Sequence, residues 1–155
     1  MNVISCVDED WLLSEEAFLL YASCMYQPRY ENFEKQIEDL ISDPSVRVYV
    51  CESQGKKTCM MVLRISDSVA EIIGIAVSEK LRRQGMGGHL IQFVMESESL
   101  ERIHAQTDDD SVGFYRKCGF TEDRIVVDYP DGSVVRYNCV LRKKQLPVYG
   151  EKQNG

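Results

Sequence analysis

The chain has no run of eighteen apolar residues, so no stretch reads as a membrane-spanning helix. Its N-terminus carries Asp8, Glu9 and Asp10 where an export signal would be basic, which points to a cytoplasmic protein. It has only two histidines, neither in a ligand-spaced group, so no zinc site is expected and no metal is called for. Positive charge is short as well. Lysine and arginine total 18 against 25 acids, a net charge of -7, which argues against nucleic acid as a partner, because that binding rests on neutralising phosphates. Repeats and low-complexity tracts are missing. The six cysteines form no CxxC pair and fall mostly in segments that read as helix or strand, so reduced, buried thiols are expected rather than a disulfide framework.

What remains is one ordinary domain: 155 residues, 44% of them apolar, enough for a single core. Apolar residues at helical intervals from Asp10 to Tyr26 and from Phe33 to Ile41 predict two helices, the second stopping near Asp43-Pro44. Val46, Val48 and Val50 alternate with Arg47, Tyr49 and Cys51 as in a half-buried strand, and Ser53-Gln54-Gly55-Lys56 turns the chain into a partner, Thr58 to Ile65. Val69 to Val77 is nearly all apolar, as in a central strand covered on both faces, and Gly74 inside it marks a bulge or a close approach. A helix carrying Leu90, Ile91, Val94 and Met95, a strand through Ile103, Ala105 and Thr107, and a short helix ending at Gly119 follow. Pro130-Asp131-Gly132 then joins two last strands, Phe120 to Tyr129 and Ser133 to Leu141. The expected class is α/β with a mixed sheet over residues 3–141, followed by a loosely ordered tail over 142–155.

The most informative segment is Val77-Ser78-Glu79-Lys80-Leu81-Arg82-Arg83-Gln84-Gly85-Met86-Gly87-Gly88. It joins an apolar strand to a helix through a loop with three cations, one acid and three glycines. A helix N-terminus offers unpaired N–H groups and partial positive charge, and glycine lets phosphate oxygens reach them, so this is the pattern of a diphosphate cradle. A Rossmann site is the weaker reading, with Leu90 where a third glycine would stand, and Gly55-Lys56-Lys57-Thr58 lacks the upstream glycine of a P-loop.

Arg82-x-x-Gly85-x-Gly87 after an apolar strand resembles the acetyl-CoA loop of the GNAT acetyltransferases. Asp108-Asp109-Asp110-Ser111-Val112-Gly113-Phe114-Tyr115-Arg116-Lys117-Cys118-Gly119-Phe120 resembles the helix in which that family carries a tyrosine near the CoA sulfur. The resemblance implies a central, mostly antiparallel mixed sheet flanked by helices. It also implies acetyl-CoA as co-substrate and direct transfer of acetyl to a primary amine of a small molecule or peptide, without an acyl-enzyme.

The same resemblance implies site residues. Arg82, Arg83, Gln84, Gly85, Met86, Gly87 and Gly88 match the pyrophosphate loop, and the backbone of Ile75, Ala76 and Val77 matches the pantetheine contacts. Tyr115 matches the general acid, and Glu71 matches the strand glutamate that serves histone-type members as base. Asp108 stands where many members carry Asn, which leaves a helix cap as its other role. Tyr26, Tyr30, Glu31 and Tyr129 lie in the pieces that flank the acceptor in the family. From the residues alone, Tyr115 also reads as a core aromatic and Glu71 as the exposed start of a strand. Cys118, a turn after Tyr115, has no histidine near it in sequence to make it a nucleophile. The surplus of acid fits a cationic amine and equally a merely soluble surface. A non-catalytic module that binds acyl-CoA is the rival expectation, and monomer and homodimer both stay open.

Overall fold

The computed structural model describes residues 2–143. In chain order it contains β1 (Asn2–Ser5), α1 (Glu9–Leu12), α2 (Glu15–Tyr21), α3 (Tyr30–Ile41), β2 (Val46–Ser53), β3 (Lys56–Ser66), β4 (Val69–Val77), α4 (Met86–Ser97), β5 (Arg102–Thr107), α5 (Val112–Lys117), β6 (Thr121–Tyr129) and β7 (Gly132–Arg142). The strands form one sheet in the order β1-β2-β3-β4-β5-β7-β6. Every neighbouring pair is antiparallel except β4 and β5. This is the expected α/β class with a mixed, mostly antiparallel sheet.

The sheet is sandwiched unevenly. On one face α1, α2 and α3 bury Leu12, Tyr21, Phe33 and Ile37 against Val48, Val50 and Val62. On the other, α4 and α5 bury Leu90, Ile91, Val94 and Tyr115 against Met61, Ile72 and Cys139. No residue of β5, β6 or β7 belongs to the first of these cores, so on the α1–α3 side no described helix covers that half of the sheet.

Four expectations are corrected. The predicted helix from Asp10 to Tyr26 is broken in two, because Ser14 accepts the Ala17 N–H at 3.2 Å and donates to the Trp11 carbonyl at 2.6 Å, starting a new helix where the first stops. It also ends at Tyr21 and passes into a single 3₁₀ turn, Ala22–Cys24. β2 is covered on both faces rather than one: Tyr49 and Cys51 are as buried as the valines, because α4 lies beneath them. β1 was not foreseen, since four residues carry too little alternation to signal a strand. The tail is the fourth: Arg142 is part of β7 and pairs with Arg102, and the rest of the expected tail, from residue 144, lies outside the described residues.

All six cysteines are free thiols. Five are buried or half-buried, as expected, but Cys24 faces open space. No helix among the described residues is long and apolar enough to cross a membrane.

Candidate active site

The site begins with two strands that start together and then part. β4 and β5 pair over Val69↔Arg102, Ala70↔Ile103 and Glu71↔His104 only. Beyond Glu71 the strands diverge, and the β5-facing backbone edge of β4 from Ile72 to Val77 is left without a strand partner. The divergence coincides with a bulge. β3 pairs Val62 with Gly74 and Leu63 with Ile72, leaving Ile73 as the extra residue. Gly74 was expected to mark a bulge or a close approach, and it does both: a Cβ there would lie 2.0 Å from the Tyr21 hydroxyl oxygen.

The split is lined from both sides of the sheet. Tyr21 and Cys24 reach it from α2 and the 3₁₀ turn. Tyr115 reaches it from α5 on the opposite face, close enough to raise the Tyr21 phenol and to be raised in turn by Cys24. Burial pushes both phenols well above their ordinary value, so each holds its proton. Cys24 is exposed on its outer side while its thiol is crowded by surrounding protein. That burial raises it to about 12, while the Tyr21 side chain and the backbone N–H of Ile75 pull the other way. Its Sγ lies 3.1 Å from the Tyr21 carbonyl oxygen.

Tyr115 is buried between Phe114 and Phe120, with ring centroids 5.0 and 5.1 Å away in edge-to-face packing. Among the described residues none hydrogen-bonds its hydroxyl, which burial keeps protonated. The start of the same helix is held by Asp108, whose carboxylate accepts the Ser111 N–H at 3.0 Å and whose carbonyl accepts the Val112 N–H at 3.0 Å. Its side chain is therefore already engaged in the turn that leads into α5.

The glycine loop lies at the far end of β4. After a 3₁₀ turn at Glu79–Leu81 the chain passes through Arg83 and Gly85, both at positive φ (66° and 80°), into α4. A residue with a side chain rarely sits there, which is why Gly85 suits the turn. His89 is the first residue to donate back to the loop, to Gly85 at 3.0 Å, so the N–H groups of Met86, Gly87 and Gly88 lead the helix unpaired. Gly85, Gly88 and the side chains of Arg83 and Gln84 are accessible there, and no acid occupies the first turn of α4. Arg82 turns back: its Nε donates to the Val77 carbonyl at 3.0 Å, clamping the loop to the end of β4. Gly87 has a packing reason as well, since a Cβ would lie 2.7 and 2.8 Å from two ring atoms of Phe114. One glycine thus lets the phosphate loop and the tyrosine helix approach each other.

Beside the loop is a cavity of ≈ 420 Å³ lined in part by Leu19, Leu20, Lys56, Lys57 and Arg82. Sequence reasoning missed Lys56 and Lys57, which looked like a plain hairpin turn, and it missed Tyr21 and Cys24, which looked like helix core. Only the fold brings a hairpin and an N-terminal helix to the loop and the split.

Glu71 lies at the closed end of the split, 61% exposed, with Arg64 Nη1 at 3.5 Å. It is exposed, as a strand start would be, because it lies on the face that no described helix covers there. It shares a depression of ≈ 360 Å³ with His104, Arg64 and Ser66. His104 Nε2 accepts from Arg102 Nε at 3.1 Å, and Gln106 donates to Asn138 at 3.1 Å. Of the four residues expected to flank the acceptor, Tyr26 is 95% exposed and Tyr129 47%. Glu31 is exposed in the first turn of α3. Tyr30 is different: its hydroxyl donates to the Leu13 carbonyl and its ring packs on Phe18 and Phe33, so it braces α3 against α2.

Comparison with known proteins agrees with this geometry. No curated protein matches the sequence. Among solved structures, the ribosomal-protein-S18-alanine N-acetyltransferase from Escherichia coli superposes with a TM-score of 0.69 at 15% identity, covering 94% of this chain and 96% of that one. The aminoglycoside 6'-N-acetyltransferase from Enterococcus faecium gives 0.72 at 14%, covering 95% and 99%. A GNAT family acetyltransferase from Elizabethkingia anophelis with acetyl-CoA bound gives 0.66 at 17%, covering 92% and 97%. At such identities the likeness speaks for the fold. The family model described as "Acetyltransferase (GNAT) family" matches residues 12–120, from α1 through the tyrosine helix, and with parted strands, glycine loop and tyrosine all in place the chain belongs to the GNAT acetyltransferases.

Proposed function

We propose that this protein transfers acetyl from acetyl-CoA directly to a primary amine of a small molecule or peptide. The observation that carries the proposal is buried Tyr115 at the parting of β4 and β5, its hydroxyl engaged by no described residue, together with a helix N-terminus whose first amides no described residue takes up. Residues 83–88 would hold the pyrophosphate, each charge-assisted N–H contact contributing on the order of 1.5 to 3 kcal/mol. The free edge of β4 at Ile75, Ala76 and Val77 supports a pantetheine arm lying in the split. Acetyl-CoA supplies an activated thioester. As the amine nitrogen bonds the carbonyl carbon, the carbon–sulfur bond breaks and the thiolate takes the Tyr115 proton. A phenol near 10 and a thiol near 8.5 differ by about 2 kcal/mol in water. Burial makes the phenol a weaker acid, and a thiolate in the same dry split becomes a stronger base, so the two effects offset.

The acceptor would approach over the face of β4, β5 and β7 that no described helix covers, where Glu71, His104, Gln106 and Asn138 present groups suited to an amine. Glu71, being exposed, would take the amine proton directly or through water. A lysine-like amine needs that help, since removing its proton at pH 7 costs roughly 4.6 kcal/mol, against about 1 kcal/mol for an α-amine. Substrates of the neighbours include an aminoglycoside and a ribosomal-protein alanine, as their names state, so both small and peptide amines belong in the test.

The test is mass-spectrometric turnover of acetyl-CoA with polyamines, aminoglycosides, amino acids and short peptides, beside Tyr115→Phe. Acetylation of one class, suppressed in the variant, supports the reading. Tight CoA binding without any acetylated product would move it to an acyl-CoA-binding module.

A further inference from the structure

The sheet has two edges, β1 and β6. β1 is four residues long and offers little to pair with. β6 runs nine residues, Thr121–Tyr129, and pairs on one side only, with β7, in an unbroken register. It contains no proline, glycine or bulge, and the charges that would blunt it against other edges, Glu122, Asp123, Arg124 and Asp128, are of both signs and so leave it open to a partner whose charges complement them. Its centre is Ile125-Val126-Val127, with Val126 55% exposed.

Hairpin geometry identifies the free backbone groups. β6 and β7 close at Tyr129↔Gly132 around Pro130 and Asp131. The closing pair of a two-residue hairpin exchanges hydrogen bonds, and bonded residues recur at every second position. Tyr129, Val127, Ile125 and Asp123 therefore bond to β7. The N–H and C=O groups of Glu122, Arg124, Val126 and Asp128 point outward from the sheet, and no described residue takes them up.

We infer that β6 is the interface of a homodimer, in which it adds antiparallel to β6 of a second copy across a two-fold axis perpendicular to the sheet at Val126. The choice of register follows from charge. Opposed side chains share a face, so symmetry allows only registers in which one residue faces its own copy. With Ile125 on the axis, Glu122 opposes Asp128 twice. With Arg124 on it, two guanidinium groups meet. With Val127 on it, Val126 opposes Asp128 and no charge finds a partner. Val126 on the axis sets Arg124 against Asp128 on both sides, Ile125 against Val127, and Val126 against itself. Opposite charges and β-branched pairs directly across a ladder stabilise it, and like charges destabilise it. Such a ladder carries about six backbone hydrogen bonds. It stops where Pro130, lacking an N–H, comes opposite Glu122.

The test is sedimentation velocity of the full chain at micromolar concentration, with folding of every variant checked by circular dichroism. The expected particle has twice the 17.8 kDa chain mass. Arg124→Asp and Asp128→Arg, each alone, should weaken dimerisation about ten-fold or more by setting like charges opposite one another. The double variant should restore it with the charges exchanged. Val126→Pro, which an edge strand tolerates, removes the central outward N–H and should also give monomer. A monomeric wild type overturns the inference, and a monomer whose Arg124, Val126 and Asp128 amides resist hydrogen exchange overturns it in favour of residues 144–155 capping their own edge. A dimer indifferent to both single charge reversals overturns it as well.

Discussion

Replacing Gly74 by alanine tests whether the bulge and Tyr21 are fitted to each other. The new Cβ would lie 2.0, 2.6 and 2.9 Å from Oη, Cζ and Cε1 of Tyr21. That ring is 1% exposed and rests on Phe33, with centroids 6.1 Å apart, so it has nowhere to swing. Overpacking of a filled core costs about 1 to 3 kcal/mol, and three overlaps with an immobile ring put this site near the top of that range. For a domain of this size the melting temperature should fall by roughly 6 to 12 °C. Urea unfolding followed by circular dichroism, run as a double-mutant cycle with Tyr21→Leu, separates the clash from any general intolerance. Tyr21→Leu alone leaves a cavity, but the pair should be more stable than the sum of the single losses by more than about 1 kcal/mol, because the leucine vacates the space the methyl needs. Additive losses would refute the reasoning. Tyr21→Phe is the finer control. It removes the oxygen at 2.0 Å and leaves the carbons at 2.6 and 2.9 Å, so it should relieve only part of the cost.

At the loop, Gly85→Val forces a branched residue to φ 80° and covers the amides, so acetyl-CoA affinity measured by calorimetry should fall at least about ten-fold; unchanged affinity removes the loop from binding. Gly87→Ala should destabilise by about 1 to 2 kcal/mol through Phe114, whereas Gly88→Ala, whose Cβ meets only Cys118 Sγ at 3.5 Å, should be neutral or stabilising by about 0.5 kcal/mol, both read from urea midpoints. The two buried phenols fix a pH dependence. Their folded values lie above the unfolded value of 10.0, so their contribution is fully present below pH 10 and lost as pH rises toward the folded values. Unfolding free energy should therefore drop above pH 10, and the slope should be shallower in Tyr115→Phe. For Glu71→Gln, kcat/KM with a lysine-like amine should fall about ten-fold or more at pH 7 and recover toward wild type at pH 10, where solvent deprotonates more of the amine. A profile identical to wild type would take Glu71 out of the mechanism.

The sequence by itself determined the elements that local chemistry specifies. Gly85 at the entrance of α4, Pro130-Asp131-Gly132 between β6 and β7, and the apolar run of β4 each read correctly because turn conformation and periodicity act within a few residues. It also determined the family, since loop and tyrosine helix are contiguous motifs. Tertiary structure decided the rest. Whether Tyr49 is buried depended on α4, about forty residues away, and whether Glu71 is buried depended on no helix covering β5 and β7. That Tyr21, Cys24 and Tyr115 meet in one split required β4 and β5 to part after Glu71, beside the bulge that Gly74 marks, and no single strand shows where its neighbour leaves it. That Gly87 serves Phe114 as well as the loop, and that the outward edge of β6 carries Arg124 and Asp128 about Val126, are facts of packing and register. Those relations are long-range, and no pattern within a single element encodes them.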